Sequence, residues 1–263
     1  MTSEFPQSRW VEECMYRMGK IYFEQNRWQE CMALFDEFNK KFSKSIYTPG
    51  SLLSTGLSYL ILGKTEKAKE ALGLIWIYYP ASNESKEAEN YLKENIYKVK
   101  NLEDVFKPFE LFIRADKFYD AGNFRETSSI LAFISKGDFE RTFKLTALKK
   151  MGEFYEKEKR YLMAIDTYKQ LIRELEKERD NKMLPGIYLN LAKACYQINL
   201  EKEFNFAAKV LFERFSDSAE IKDFFYILGR FLEDEGRFDE SINAFTKILN
   251  MDGTPYRACS KSI

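Results

Sequence analysis

Apolar residues recur three and four positions apart in paired runs along most of this chain. Each run covers roughly twelve to sixteen residues, and a short polar stretch separates the two runs of a pair. This spacing places apolar side chains on one face of an α-helix, whereas a half-buried strand would alternate every second residue. The pattern therefore predicts repeated pairs of amphipathic helices joined by short turns.

Four of these pairs align on a glycine in the first helix, at Gly19, Gly56, Gly152 and Gly229. A large residue follows each glycine by three positions and a turn-tolerant residue by seven. An aromatic residue or Thr follows by nine, a small residue by twelve and a large apolar residue by sixteen. Agreement at so many fixed positions indicates an internal repeat.

Two weaker copies carry alanine in the glycine slot, at Ala115 and Ala192. For the copy at Ala192, the sequence predicts a short insertion before a second helix that contains FAAKVLF. The six slots lie 37, 59, 37, 40 and 37 residues apart, so one unit length recurs with one large insert. We expect the small residues in the slot, and those twelve positions later, to let two helix backbones approach closely.

The pattern resembles the tetratricopeptide repeat, a helix–turn–helix unit of about 34 residues with characteristic large, Gly, Tyr, Ala, aromatic, Ala and Pro positions. Residues that match these positions are Gly56, Tyr59, Ala68, Leu72 and Pro80 in one unit, Gly152, Tyr155, Ala164 and Tyr168 in another, and Gly19, Tyr22, Cys31 and Phe35 in a third. The resemblance spans residues 10–252 and departs from the family in its longer period. It implies an all-α fold, a right-handed superhelical α-solenoid of stacked helix–turn–helix repeats.

The sequence predicts four segments: two repeats at 10–80, an inserted helix and connection at 81–108, four repeats at 109–252, and a tail at 253–263. Ser82 or Asn83 is expected to cap the inserted helix, whose apolar residues Ala88, Leu92 and Ile96 recur every four positions. Pro108 marks its end. Two interpretations stay open for the insert: a long linker with one helix, or a wedge that contacts a partner.

The segment GLSYLILGKT ends as a phosphate-binding loop does, with Gly63, Lys64 and Thr65. The first glycine of that motif would fall at Ser58, and residues 57–62 fit the end of a helix rather than a strand. A helix C-terminus also presents carbonyl groups, whose partial charge repels phosphate. We therefore interpret Gly63 as the turn residue of its repeat, equivalent to Asn26, Gly122 and Gly236.

Composition narrows the chemistry that the chain can perform. Lys plus Arg and Asp plus Glu each number 41, which argues against a general nucleic-acid binder. Histidine is absent, which removes the commonest general base and zinc ligand. The cysteines form no CxxC pair and are expected to be reduced thiols; they are Cys14, Cys31, Cys195 and Cys259. No cofactor, metal site or catalytic residue is predicted.

Neither the N-terminal residues nor any later segment has the apolar run of a signal peptide or a membrane span. A cytoplasmic location is expected, or an envelope location if an export signal has been removed. The charged run at 173–182 reads as a solvated surface. The tail after Met251 lacks the polar-faced capping helix usual for repeat arrays. Either this end is irregular, or the natural chain or a partner continues from it, and self-association through the last repeat is a further alternative.

In the resembling family, the second, fifth, ninth, twelfth and thirteenth residues of a unit face the concave groove. When these positions are counted within the aligned units, which we call repeat phase, the candidate partner-binding residues are Tyr16, Lys20, Phe23, Leu53, Leu57, Leu60, Phe112, Tyr119, Lys149, Glu153, Tyr196 and Arg230. Exposed Leu and aromatic residues would suit an apolar peptide or helix. The alternative is that the inserted helix covers Leu53, Leu57 and Leu60.

Some family members grip a peptide's terminal carboxylate with Lys and Asn at fixed first-helix positions. The first unit has Tyr16 and Lys20 there, so this clamp is not supported. The leading hypothesis is a non-enzymatic scaffold that binds proteins or peptides in its groove. The alternatives are a bacterial envelope-assembly component, an RNA-binding helical repeat protein, and an enzyme, for which the sequence shows no catalytic constellation.

Overall fold

The computed structural model describes residues 9–177 and 181–251. The regular elements in these ranges are helical, and most α-helices pair into hairpins joined by short turns. The chain divides into two compact units, residues 1–131 and 132–263, and the division falls within the segment 109–252 that the sequence groups into four repeats. The predicted tail at 253–263, residues 178–180 of the charged run and Cys259 lie outside the described residues.

The first unit contains three hairpins and the insert. Its helices are α1 (Arg9–Glu24), α2 (Trp28–Lys41), α3 (Thr48–Ile61), α4 (Thr65–Tyr78), α5 (Asn83–Tyr91), α6 (Pro108–Asp120) and the start of α7 (Phe124–Lys136), which crosses the division. The second unit contains the end of α7 and three further hairpins. Its helices are α8 (Arg141–Lys157), α9 (Tyr161–Leu175), α10 (Leu184–Gln197), α11 (Glu201–Arg214), α12 (Ile221–Asp234) and α13 (Phe238–Met251).

The turn between the two helices of every hairpin is made by one residue with positive φ, seven positions after the glycine slot. These residues are Asn26, Gly63, Gly122, Lys159, Asn199 and Gly236. Positive φ ends a helix in a left-handed cap, which Gly and Asn tolerate best. The prediction that Gly63 is a turn residue is confirmed. The Gly63 N–H donates to the Leu60 carbonyl oxygen at 3.0 Å and the Lys64 N–H to Tyr59 at 2.8 Å, so neither amide is left for a phosphate.

Glycine stands in the slot because a side chain from the second helix occupies the space that a Cβ would need. A Cβ added at Gly19 would lie 2.3 Å from Cζ of Phe35, and one at Gly152 would lie 2.4 Å from Cε1 of Tyr168. In both hairpins the obstacle is the ring sixteen positions later, not the backbone of the second helix. At both positions the glycine therefore leaves room for a large side chain to cross the first helix.

The small residue twelve positions after the slot packs beneath the first helix. Cys31, Ala68 and Ala164 are fully buried there. Where this residue has a hydroxyl, the hydroxyl donates to the carbonyl oxygen of the slot residue. The Ser241 Oγ lies 2.8 Å from the Gly229 carbonyl oxygen, a bond that satisfies a buried polar group within the hairpin.

The predicted insertion in the copy at Ala192 is wrong. Helix α11 begins nine residues after Ala192, as the second helix does in the other hairpins, and Asn199 makes the turn. The alignment of this copy is hard to see in the sequence, because the residue twelve positions after the slot is large and the one sixteen positions after it is small. Phe204 occupies the small position and is buried, while Ala208 occupies the large one. The Phe204 ring stacks on Phe231 of the next hairpin with centroids 4.2 Å apart.

The insert begins as expected, with Ser82 as the helix cap. Its side chain accepts a hydrogen bond from the Ser85 N–H at 3.0 Å. The helix continues beyond α5 as a π-helical turn, Leu92–Tyr97, and a short 3-10 turn, Leu102–Asp104, precedes α6. The side chains of Ala88 and Leu92 are fully buried. Helix α5 packs on α3 and α4, so the insert is a packed part of the first unit rather than a loose linker.

A buried arginine joins the insert to its neighbours. The Arg114 guanidinium on α6 lies 3.8 Å from the ring centroid of Trp76 and donates to the Trp76 carbonyl oxygen. Its Nη2 lies 3.6 Å from Oε2 of Glu89 on α5, and Glu89 also accepts from Trp76 Nε1 at 3.1 Å. Burial lowers the pKa of Arg114 to about 10, against the opposing effect of Glu89 and Glu103, which still leaves the group charged at neutral pH.

In the second unit, Glu176 at the end of α9 holds the following hairpin. Its Oε1 accepts from the Tyr188 hydroxyl at 2.8 Å and from Arg214 Nη1 at 2.9 Å. The hydrogen bond from Tyr188 and the charge of Arg214 lower the pKa of Glu176, although burial opposes them. The ionised carboxylate is therefore favoured in the folded state.

We expect Glu176→Gln to lower the free energy of unfolding at neutral pH by no more than about 1 kcal/mol, since solvent screens this partly exposed carboxylate. A lowered folded-state pKa gives stability that is present above the ordinary pKa and is lost as pH falls through the lowered value. Urea denaturation should therefore show a difference from wild type that is present at neutral pH and vanishes as the pH falls through the lowered pKa of Glu176. Tyr188→Phe should show the same trend, and a difference independent of pH would contradict this account.

Candidate functional site

Four of the candidate residues lie on the first helices of hairpins in the second unit, at positions that repeat phase assigns to the same side of each helix. Lys149 and Glu153 lie one turn apart on α8, with Nζ and Oε1 at 3.8 Å. Tyr196 lies on α10 and Arg230 on α12. Positions three or four residues apart on a helix share a face, which is why Lys149 and Glu153 can pair.

Two adjoining concavities open along this face. The larger, of about 520 Å³, is lined by residues of α8 and α10 that include Glu153, Glu156, Lys157, Asn190, Lys193 and Gln197. The smaller, of about 370 Å³, includes Lys149, Glu153, Lys182, Gly186, Asn190 and Glu220. Glu153 and Asn190 line both. The two concavities therefore form one polar surface, which we call the α8–α10 groove.

The α8–α10 groove is lined by carboxylates, lysine side chains and the amide of Asn190. Glu156 Oε2 accepts a hydrogen bond from the Tyr168 hydroxyl at 2.9 Å. Burial, together with this carboxylate, raises the pKa of Tyr168, so the hydroxyl stays a donor. Asn190 offers both an amide donor and a carbonyl acceptor, the pair of groups that a peptide backbone can match. The surface can therefore hydrogen-bond to an extended chain and select charged side chains.

Tyr196 and Arg230 meet at the next pair of first helices. The Tyr196 hydroxyl donates to Asp234 Oδ2 at 2.7 Å and also interacts with Arg230. The hydrogen bond to Asp234 is the main reason that the pKa of Tyr196 is raised. Arg230 Nε lies 3.7 Å from Glu233 Oε2. These two candidate residues are brought together by the fold and are already paired with acidic neighbours.

Candidates in the first unit mostly pack against their own unit. The Tyr16 ring stacks on Tyr47 with centroids 4.6 Å apart, and a Cβ at Gly50 would lie 2.4 Å from the Tyr16 hydroxyl oxygen. Phe23 makes an edge contact with Trp28 at 5.1 Å, and Lys20 Nζ lies 5.4 Å from the Phe23 ring centroid. Tyr16 thus supports the junction of α1 with α3 rather than an open surface.

Two apolar candidates need correction, because Leu53 and Phe112 are buried and belong to the core. Leu57 and Leu60 are half-buried on α3, the helix against which α5 packs. This placement favours the alternative that the insert covers part of the apolar face. Tyr119 is also half-buried, with its ring 5.5 Å from that of Phe124.

The candidate set missed several residues that line the α8–α10 groove. Lys193 and Gln197 occupy the ninth and thirteenth positions of their unit, so the family's positions applied uniformly would have included them. Asn190 occupies the sixth position, which that rule does not cover. Only the packing of α10 beside α8 shows that its side chain lines both concavities.

The described residues show neither a metal-binding cluster nor a membrane-spanning helix. Within residues 9–177 and 181–251, no three Cys, Asp or Glu side chains are grouped so as to hold a metal ion. Over the same ranges, no helix has the length and apolarity needed to cross a lipid bilayer.

The chain is similar to several solved structures, including the following three. A tetratricopeptide repeat protein from Parabacteroides merdae is 14% identical, with 95% of this chain and 82% of that chain covered and a TM-score of 0.40. BtubC (BKLC) from P. vanneervenii is 12% identical, with 96% and 98% covered and a TM-score of 0.47. The C-terminal part of a TPR repeat-containing protein from Cytophaga hutchinsonii is 16% identical, with 91% and 96% covered and a TM-score of 0.46. Likenesses this distant do not identify a relative.

Two segments of the sequence match a known repeat. No curated protein matches the chain. Residues 13–45 and residues 223–255 each match a family model of the tetratricopeptide repeat. The first match contains Gly19 and Phe35, and the second contains Gly229 and its partner Phe245, the pairs that set helix packing in these hairpins. The chain therefore contains tetratricopeptide repeats at residues 13–45 and 223–255, and its described residues form repeated helical hairpins.

Proposed function

We propose that this chain is a protein-binding module whose α8–α10 groove takes an extended, polar segment of a partner protein. The tetratricopeptide fold is typically a non-catalytic interaction module, which agrees with a scaffold role. The observation that carries the proposal is the pair of adjoining concavities that share Glu153 and Asn190.

Charge and polarity in the groove define the segment that fits. Glu153 and Glu156 would attract a basic side chain, while Lys193 and Lys182 would attract an acidic one. Asn190 lies where the two concavities meet and would hydrogen-bond to the backbone of the bound segment. A segment with basic and acidic residues near one another therefore matches the groove better than an apolar helix does.

Nucleic acid is a poorer fit for the same surface. Phosphate backbones require a run of Lys and Arg without intervening acids, because each carboxylate repels the phosphates beside it. Here Glu153, Glu156 and Glu220 line the same concavities as the lysines. The groove thus favours a peptide over RNA.

A displayed library of random peptides tests this proposal without knowledge of the natural partner. We expect enrichment of peptides with mixed charges, which bind wild type with Kd values of about 1–100 µM. Lys193→Glu and Asn190→Ala should each weaken binding at least about tenfold, because they remove central polar contacts. Binding would be measured by fluorescence anisotropy.

The matched control is Lys209→Glu, which makes the same change of charge on α11 at an exposed lysine that lines neither concavity. This variant should bind the selected peptides as wild type does. Equal losses in all three variants would show a non-specific charge effect and would contradict a site in the groove. Preferential binding of single-stranded RNA, with a steep salt dependence, would contradict it as well.

A further inference from the structure

One face of α1 exposes apolar side chains in a regular row. Cys14, Met18 and Ile21 are spaced by four and three residues, which places them on the same side of the helix. The charged side chains next to this row pair with each other, since Arg17 Nη2 lies 2.7 Å from Glu13 Oε1. The row is therefore an apolar face whose neighbouring charges at Arg17 and Glu13 already form an ion pair.

The same register positions are buried in the second unit. Ile187, Leu191 and Ala194 on α10 correspond to Cys14, Met18 and Ile21 when the repeats are aligned on the glycine slot. Leu191 is fully buried, whereas Met18 is 47% exposed. Helix α10 packs on α9, the second helix of the preceding hairpin. The positions that are exposed on α1 are thus buried on α10, where the fold provides a neighbouring hairpin.

A second exposed apolar face lies on α13. Ile242 and Leu249 correspond by register to Ile165 and Ile172, which α9 buries in its own unit. Ile165 is 2% exposed and Ile242 is 53% exposed. Apolar residues at these positions are therefore buried on α9 and exposed on α13.

We infer that α13 of one copy of this chain packs on α1 of a second copy, in the manner of α9 on α10. The α9–α10 contact supplies the template, because both exposed faces carry apolar residues at positions whose equivalents are buried on α9 and α10, two helices that pack on each other. Each hairpin of a repeat array is stabilised mainly by its neighbours, so an exposed face of this kind accepts another hairpin.

The two faces are different, so the contact is head-to-tail. Such a contact leaves one α1 face and one α13 face exposed after each addition, unless the copies close into a ring. Association should therefore proceed beyond a dimer and increase with protein concentration.

Analytical ultracentrifugation of the full chain, from about 1 to 100 µM, tests this inference. Wild type should form species larger than a dimer as concentration rises. Met18→Glu blocks the α1 face and Ile242→Glu blocks the α13 face, so each variant alone should stay monomeric. A charge placed in an apolar contact should raise the apparent Kd at least about tenfold.

Mixing the two variants gives the decisive result. The intact α13 face of Met18→Glu should bind the intact α1 face of Ile242→Glu, giving a 1:1 dimer that grows no further. The control is Leu162→Glu, at an exposed leucine of α9 on neither face, which should associate as wild type does. Circular dichroism would establish that the variants remain folded.

Three results would overturn the inference. Wild type would stay monomeric throughout the concentration range, the two variants would fail to pair when mixed, or one variant alone would still dimerise through its unaltered face. The last result would indicate a symmetric contact between identical faces instead of a head-to-tail one.

Discussion

Gly19→Ala is expected to lower the free energy of unfolding of the first unit by about 2 kcal/mol. An added Cβ would lie within 3 Å of three atoms of the Phe35 ring. Phe35 is fully buried and packs edge-on against Phe38 at 6.3 Å, so the ring cannot swing away without disturbing the core. This overpacking outweighs the gain of up to about 1 kcal/mol that alanine gives a helix interior.

Urea denaturation followed by tryptophan fluorescence measures this effect. The three tryptophans, Trp10, Trp28 and Trp76, all lie in the first unit, so their signal reports that unit. Gly73→Ala is the matched control, because its Cβ would meet Phe106 at an ordinary 3.6 Å. That variant should gain about 0.5–1 kcal/mol.

A double-mutant cycle identifies the ring as the cause. Ala115 and Leu131 occupy the same two positions in another hairpin of this unit, so alanine in the slot is compatible with leucine sixteen positions later. Gly19→Ala combined with Phe35→Leu should therefore be less destabilised than the sum of the single variants, by at least about 1 kcal/mol. Additive effects, or a stabilising Gly19→Ala, would contradict the steric explanation.

The second large effect is expected at the buried arginine. Glu89→Gln should lower the free energy of unfolding of the first unit by about 3 kcal/mol, because it leaves the Arg114 charge buried without its carboxylate partner. The amide keeps the shape of the side chain, so the loss reports charge and not volume. Tryptophan fluorescence during urea denaturation measures it, since Trp76 contacts both side chains.

The opposite replacement should be much milder. Arg114→Met leaves Glu89 partly exposed and still paired with Lys93, whose Nζ lies 2.5 Å from Oε1. Burial acts to raise the pKa of Glu89, yet Lys93, Trp76 and Arg114 together hold it below its ordinary value. The double variant Arg114→Met with Glu89→Leu should recover to within about 1 kcal/mol of wild type, since it removes both charges from the interior. Equal losses for both single variants would show that packing, rather than the charge, decides stability here.

The sequence predicts the candidate surface less well than the fold. Lys149 and Glu153, chosen because repeat phase determines which face of the helix they occupy, line a concavity, and their role in partner binding stays a prediction. Leu53 and Phe112 have the same phase but are buried. Phase specifies a direction around a helix and carries no information about whether another element covers that direction.

The inserted helix also shows that local sequence rules predict helix ends and apolar positions but not contacts with distant residues. Ser82 as a cap and the apolar positions Ala88 and Leu92 follow from local rules, and the structure confirms them. The burial of Arg114 against Trp76, 38 residues earlier in the chain, has no local signal. From sequence alone, a charged residue in an amphipathic pattern is expected to be exposed to solvent, and only the packing of neighbouring helices shows that it is buried.

The sequence by itself determined the repeat, its helical hairpins and the left-handed turn at Gly63, because helix periodicity and backbone conformation depend on neighbouring residues along the chain. Only the tertiary structure decided that Phe204 and Ala208 exchange roles, which ring requires each glycine, and where polar groups gather beside Asn190. These outcomes depend on which side chains from distant segments compete for the same space, and close packing in the interior leaves room for one arrangement.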